Sequence, residues 1–238
     1  MQKNVVIVGY VRSPFHFAKK GSLARVRPDE MAAQMVRGLV EKTGINTADI
    51  EDLILGCAFP EGEQGLNMAR IVTFLAKLPI SVAGTTVNRF CGSSMQSIHI
   101  CAGVESMSRV PMGGYNPMPH PTLAADYEQA YMSMGVTAEN LAEKYNISRQ
   151  RQEELTVISH QRATDARHSG RLTDEIIPIV HGDIIISSDG CIREGTTTAA
   201  LADLKPVFKA DGSVTAATSS PLTDGASATL VTSEDYAR

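Results

Sequence analysis

Among 238 residues there is no Trp, and aromatic residues make up only 5%. That scarcity argues against the stacking platforms that hold single-stranded nucleic acid. A basic excess is lacking too: Lys+Arg 22 against Asp+Glu 26 leaves a formal net charge of −4. Such a balance gives no general field for nucleic acid or an anionic membrane, although a local basic patch for one anionic ligand stays open. No run approaches the ~18 apolar residues of a membrane span. The N-terminus enters a strand-like run at Asn4-Val5-Val6-Ile7-Val8-Gly9 without separate charged and apolar leader regions, so no secretory signal is expected. Cys57, Cys91, Cys101 and Cys191 show no CxxC or Cys/His ligand spacing, so no metal site is expected. A chain this long without a signal is expected to be cytoplasmic, with reduced thiols.

What is present is ordinary for a globular protein: 43% hydrophobic and 20% charged residues, in a chain long enough for a real core. The first hundred residues alternate strand-like and helix-like segments. Val5 to Val8 read as a strand, and Pro28 to Lys42 as a helix with Pro and two acids in its first turn. Ile50 to Cys57 and Val82 to Asn88 read as strands, and Met68 to Lys77 as a helix. This alternation predicts a mostly parallel sheet covered by helices. Near Pro111 the character changes, and 112–121 is too rich in Gly and Pro to continue a helix. Helices are predicted over Thr137–Tyr145 and Ser148–His168, strand-like pieces over Glu175–Val180 and Asp183–Ser187. Gly212–Thr218 and Ala226–Thr232 return to a β-like pattern. The expected architecture is a layered α/β core, residues 1–110 and 212–238, with 111–211 inserted as a separate lobe.

Cys91 lies in Asn88-Arg89-Phe90-Cys91-Gly92-Ser93-Ser94-Met95-Gln96, where strand 82–88 runs into a helix opening at Gly92. A thiol at a strand-to-helix turn faces unpaired N–H groups, which favour the thiolate and could hold an oxyanion. Thiol chemistry suits one reaction type especially, the exchange of an acyl group between thioesters, because sulfur both attacks and leaves well. Against this stands the common behaviour of free cysteine as a small buried hydrophobe. A base is harder to find. His99 is eight residues along the same predicted helix, ~12 Å away at 1.5 Å per residue. His160 and His168 fall on a polar helix, and His16, His120 and His181 fall in loops.

At these residues the chain resembles the thiolase family of acyl-CoA acyltransferases, over nearly its whole length. The segment Val87 to Gln96 resembles the family's nucleophile motif. Ala102-Gly103-Val104-Glu105-Ser106-Met107-Ser108-Arg109-Val110-Pro111 resembles the strand and turn that follow it. Met134-Gly135-Val136-Thr137-Ala138-Glu139-Asn140 resembles the loop-domain signature, and Thr223-Asp224-Gly225-Ala226 the return to the core. The resemblance implies the N-terminal half of a thiolase sandwich (layered αβαβα) with an inserted coenzyme-A-binding loop domain at 111–211. It implies that Cys91 carries the acyl group and that Met134, Arg193, Phe208, Ala216 and Ser220 contact coenzyme A. Taken alone, the last four are equally a solvated arginine, a core phenylalanine and small turn residues. It further implies acyl-CoA and coenzyme A as substrates, no permanently bound cofactor, a homodimer or tetramer, and a place in fatty-acid β-oxidation.

Two departures stand beside the matches. Family members carry, in a second similar half, a Gly-His-Pro histidine and a second cysteine, and this chain has neither. The stretch between Cys91 and Ala102 is also shorter than the family's by about a dozen residues, where a parallel crossover usually needs that many or more. These departures lead us to expect a truncated or gapped form of a longer protein, with a shortened helix after Cys91. A ketoacyl-synthase-like condensing enzyme and an inactive coenzyme-A-binding fragment are the competing expectations.

Overall fold

Strands and helices alternate along the first part of the chain in the computed structural model, which describes residues 4–98 and 101–238. In order come β1 (Val5–Arg12), β2 (His16–Phe17), α1 (Pro28–Thr43), β3 (Asp52–Gly56), α2 (Met68–Leu75), β4 (Ala83–Val87), α3 (Ser93–Ser97) and β5 (Cys101–Ser106). Next are α4 (Pro121–Asp126), α5 (Met134–Lys144), α6 (Arg149–His168), β6 (Ile179–His181), β7 (Ile184–Ile186), α7 (Thr198–Ala202), β8 (Thr223–Ser233) and α8 (Glu234–Ala237). Two compact units emerge. One comprises Met1–Tyr115, Leu172–Cys191 and Leu222–Arg238; the other comprises Asn116–Arg171 and Ile192–Pro221.

The first unit is built on a sheet of order β1-β8-β5-β3-β4, with β2 also paired to β8. β3 runs parallel to both β4 and β5, while β8 runs antiparallel to β5 and β1. Of the five strands in line, β8 alone is reversed, so the expected mostly parallel sheet is present. α1 starts on Pro28 with Asp29 and Glu30 in its first turn and stops at Gly44, whose φ of 67° closes the helix through an N–H bond to Val40 O. Its Met31, Ala32, Met35, Val36 and Leu39 are buried in one core with Leu53, Leu55, Val104 and Ala228 of the sheet. Burying each of the larger of these side chains stabilises the fold by about 1.5–3 kcal/mol.

In the second unit, α6 opens on Ser148, whose hydroxyl accepts from Arg151 N. Helix α5 begins earlier than its apolar pattern suggested, because Ser133 caps it through Val136 N. Residues 212–218 form no strand, beyond a single bridge between Pro206 and Thr215. Side chains there take the backbone donors a sheet would use: Glu139 accepts from Ser213 N and Val214 N, and Thr218 Oγ1 accepts from Thr215 N. No helix of the described residues is long and apolar enough to cross a membrane.

An ion cluster anchors the end of β1 within the first unit. The Arg12 guanidinium forks onto both oxygens of Asp189 at 2.8 and 2.9 Å, and its Nε donates to Glu175. Burial works to raise the Asp189 carboxyl, but Arg12 and the Phe15 N–H outweigh it and hold its pKa below the usual range. A carboxyl lowered on folding stabilises fully above its unfolded pKa, near ~3.9, and loses that contribution as pH falls through the lower folded value. Asp189→Asn should cost about 2 kcal/mol at neutral pH. It should also flatten the fall in urea midpoint below about pH 4, read from denaturation curves at successive pH values.

Candidate active site

Asn88, Phe90 and Ser93 hold the turn that presents Cys91. Asn88 Oδ1 accepts from Phe90 N at 2.9 Å, Ser93 Oγ accepts from Arg89 N at 2.8 Å, and Ser93 Oγ donates to Phe90 O at 2.6 Å. Phe90 is forced to φ 45°, a left-handed conformation a bulky residue seldom adopts. Such strain persists only where surrounding contacts over-determine it, and it clusters at functional sites. The Phe90 ring sits 5.9 Å, centroid to centroid, from Phe59. Cys91 follows in a tight turn, Phe90–Gly92, with its thiol exposed.

Helix α3 is only five residues long. The oriented-peptide argument for the thiolate therefore loses much of its weight, since few aligned dipoles contribute. Two glycines set the position of this short helix. Gly56 and Gly103 are register partners on β3 and β5. A Cβ on Gly56 would overlap the backbone at Ser93 and Ser94, and one on Gly103 would overlap the Ser94 side chain. The two bare strand positions let the helix start sit directly on the sheet, which fixes the height of Cys91 above it.

Below the turn lies a buried polar network. Glu105 Oε2 accepts from Ala58 N at 2.7 Å, and its Oε1 accepts from Gln64 Nε2 at 2.5 Å. The Gln64 amide also donates to Phe59 O and accepts from Ser106 N. Burial raises the Glu105 carboxyl above its ordinary value despite these donors. Cys57, with its thiol 3.9 Å from Glu105 Oε2, is pushed up to about 12 by burial first and by the Glu105 charge second.

Among the described residues no histidine is hydrogen-bonded to Cys91. His16 Nε2 donates to Ser188 O, because its Nδ1 accepts from Ser22 N. His120 caps α4 through Leu123 N, His160 Nδ1 accepts from Arg193 N, and His168 pairs with Glu194. His181 lies on β6. His99 lies outside the described residues.

The residues named for coenzyme A all belong to the second unit. Met134 is the exposed first residue of α5, and the next residue, Gly135, lies under Phe208: a Cβ there would fall inside the ring. Phe208 thus packs against the first turn of α5. Ala216 and Ser220 lie on the exposed polar turn that Thr215 organises through Thr218 and Ser219. Arg193 sits on a loop that its backbone N–H attaches to α6 at His160. Reading the sequence did not bring out Gly56, Phe59 or Gln64 as site-forming residues. An isolated glycine inside each of two strands was the available signal for the seat, since it marks close backbone approach.

Two outcomes check this geometry. Gly56→Ala should destabilise the chain by about 1–3 kcal/mol through overpacking against α3 backbone, measured by urea unfolding. Iodoacetamide near pH 8 should alkylate exposed Cys91 well before Cys57, whose thiol pKa stands at about 12; peptide mass mapping after short exposure reads the order.

The model of the family described as "Thiolase, N-terminal domain" matches residues 5–235. A protein of Bacillus subtilis called 3-ketoacyl-CoA thiolase is 42% identical over 262 aligned positions, covering 99% of this chain and 67% of that protein. One of the same name from Serratia proteamaculans is 42% identical over 257 positions, covering 99% and 66%. Among solved structures, the Bacillus anthracis acetyl-CoA acetyltransferase superposes with a TM-score of 0.85 at 33% identity, over 99% of this chain and 66% of that one. The chain spans about two thirds of the length of these relatives.

Proposed function

This chain belongs to the thiolase family through its N-terminal domain, and from that premise we propose that it supplies the nucleophile of a thiolase-type acyltransferase acting on 3-ketoacyl-CoA. The observation that carries the reading is the exposed Cys91 thiol on a turn strained at Phe90 and seated on two glycines.

In this reaction the Cys91 thiolate adds to the 3-keto carbonyl, whose oxygen gains charge as the new C–S bond forms. The bond between C2 and C3 breaks, its electron pair leaves on the acetyl-CoA carbanion, and a proton completes acetyl-CoA. The shortened acyl group stays on Cys91 as a thioester. A coenzyme A thiol then attacks it, forms the new acyl-CoA and returns the Cys91 thiolate. The reverse sequence condenses two acetyl-CoA. Proton transfers to and from these thiols need a base and an acid, and by the family resemblance they come from the family's second half, outside residues 1–238. No permanently bound cofactor is called for.

For coenzyme A we propose the inserted segment 111–211 and the turn after it. Phe208, packed against Gly135 at the start of α5, offers an apolar face for the adenine or the pantetheine, and exposed Met134 lies on the same first turn. Ala216 and Ser220 would leave room for the pantetheine arm, and Arg193 suits a phosphate. The family resemblance supports a homodimer or tetramer, and the need for a reduced thiol supports the cytoplasm.

A second reading, a coenzyme-A-binding chain without turnover of its own, is favoured by the five-residue α3. The two separate cleanly. On incubation with acetoacetyl-CoA, intact mass should rise by one acetyl group on the unsubstituted chain and stay constant for Cys91→Ser. Labelling that persists without Cys91 defeats the nucleophile assignment. Steady thiolysis by residues 1–238 alone defeats the second reading.

A further inference from the structure

Two segments leave the sheet side by side at the ends of β3 and β4. The ladder between these strands finishes with Gly56 opposite Val87, and Cys57 N adds a bond to Val87 O at 3.0 Å. Past that rung the rings of Phe59 and Phe90 bring the two chains together again, 5.9 Å apart and tilted by 54°, a favourable aromatic arrangement. Phe90 directly precedes Cys91 and carries the left-handed φ of 45°. Asn88 and Ser93 hold its backbone, while its ring is exposed on one side and meets Phe59 on the other.

A ring can brace its neighbour only from a stiff segment, and the segment around Phe59 is tied at each step. Pro60 follows Phe59 and confines it to extended conformations. The Phe59 carbonyl accepts from Glu61 N at 2.8 Å and from the Gln64 amide at 2.9 Å. Gln64 is fully buried, and its remaining groups go to β5: Nε2 donates to Glu105 Oε1 at 2.5 Å, and Oε1 accepts from Ser106 N at 2.7 Å. Glu105 Oε2 takes the residue before Phe59 through Ala58 N at 2.7 Å. Phe59 is thereby fastened to β5 on both sides, through Ala58 N and through its own carbonyl.

We propose that Phe59 is a positioning residue for Cys91: its ring, on a loop that Glu105 and Gln64 fasten to β5, holds Phe90 left-handed and so fixes the direction of the thiol. This inference rests on Cys91 being the nucleophile. A bulky residue occupies positive φ only where surrounding contacts impose it. Without the ring the turn gains other conformations. The thiol then stays exposed but spends less time aimed at a bound carbonyl, and small misplacements of a reacting atom are costly.

The test uses the 238-residue chain and the variants Phe59→Ala, Phe59→Tyr and Glu105→Gln. Hydrogen exchange is followed at Phe90 N and Gly92 N, which donate to Asn88 Oδ1 and Arg89 O within the turn. Acyl transfer from acetoacetyl-CoA and alkylation by iodoacetamide are followed by mass. Phe59→Ala should speed exchange at these two amides about threefold to tenfold and leave α1 and β8 unchanged. It should slow acylation by about tenfold or more, while alkylation, which needs only exposure, stays within about twofold. Phe59→Tyr, which keeps the ring, should restore both exchange and acylation. Glu105→Gln should loosen the same two amides from a distance. Unchanged exchange at Phe90 and Gly92 in Phe59→Ala overturns the proposal, and so does a uniform loss of protection across the sheet, the mark of a merely structural role. Failure of the tyrosine variant to restore the turn overturns it as well. No acylation of the unsubstituted chain defeats the nucleophile assignment instead, and the exchange pattern still decides whether Phe59 holds the turn.

Discussion

Everything around Cys91 depends on how closely the start of α3 approaches the sheet. Gly56 and Gly103, opposite one another on adjacent strands, remove the two side chains that would hold the helix away. With the backbone at Ser93 and Ser94 resting on bare strand, little freedom remains for the preceding turn. It must climb from Val87 to the helix within a few residues, and Phe90 takes a left-handed conformation to do so. The strain is balanced locally by Asn88 and Ser93, which satisfy the backbone groups at Arg89 and Phe90. A cysteine placed there is exposed because the turn lifts it from the sheet, not because the core is loose.

The polar network beneath the turn belongs to the same constraint. A carboxylate near the end of β5 is costly to bury, and Glu105 meets that cost with donors from Ala58 N and the fully buried Gln64 amide. Gln64 in turn ties Phe59 O and Ser106 N together. The loop after β3 is thereby pinned to β5, and its Phe59 ring meets Phe90. Through this route a residue remote in sequence steadies the turn that carries the thiol. Cys57 in the same cluster shows the contrast with Cys91. Burial and a neighbouring carboxylate keep its thiol protonated, whereas Cys91 is exposed to solvent.

Much of this was legible in the sequence. The strand and helix alternation up to Val87 follows from apolar periodicity, and α1 is marked at both ends, by Pro28 and by Gly44. The place of Cys91 on a strand-to-helix turn was legible because the apolar strand before it and the serines after it agreed. The second unit was harder to read. Residues 212–218 are small and β-like in composition, yet Glu139, far away in sequence, takes their donors and Thr215 closes a local turn. Helix α5 begins at a serine cap that apolar spacing does not reveal. Gln64 and Phe59 gave no signal at all, since their roles exist only once β3, β5 and the loop between them are assembled.

The short crossover after Cys91 limits the support beneath it. Thirteen residues separate Val87 from Cys101, and the five-residue α3 spans only ~7.5 Å along its axis. From Cys101 onward β5 pairs with β3 opposite Ile54, and from Ala102 with β8 opposite Ala228. So short a helix covers little of the sheet behind Cys91. The economy of chain between Ser97 and Cys101 thus leaves Cys91 on a minimal support, and residues added there would lengthen the helix on which its turn rests.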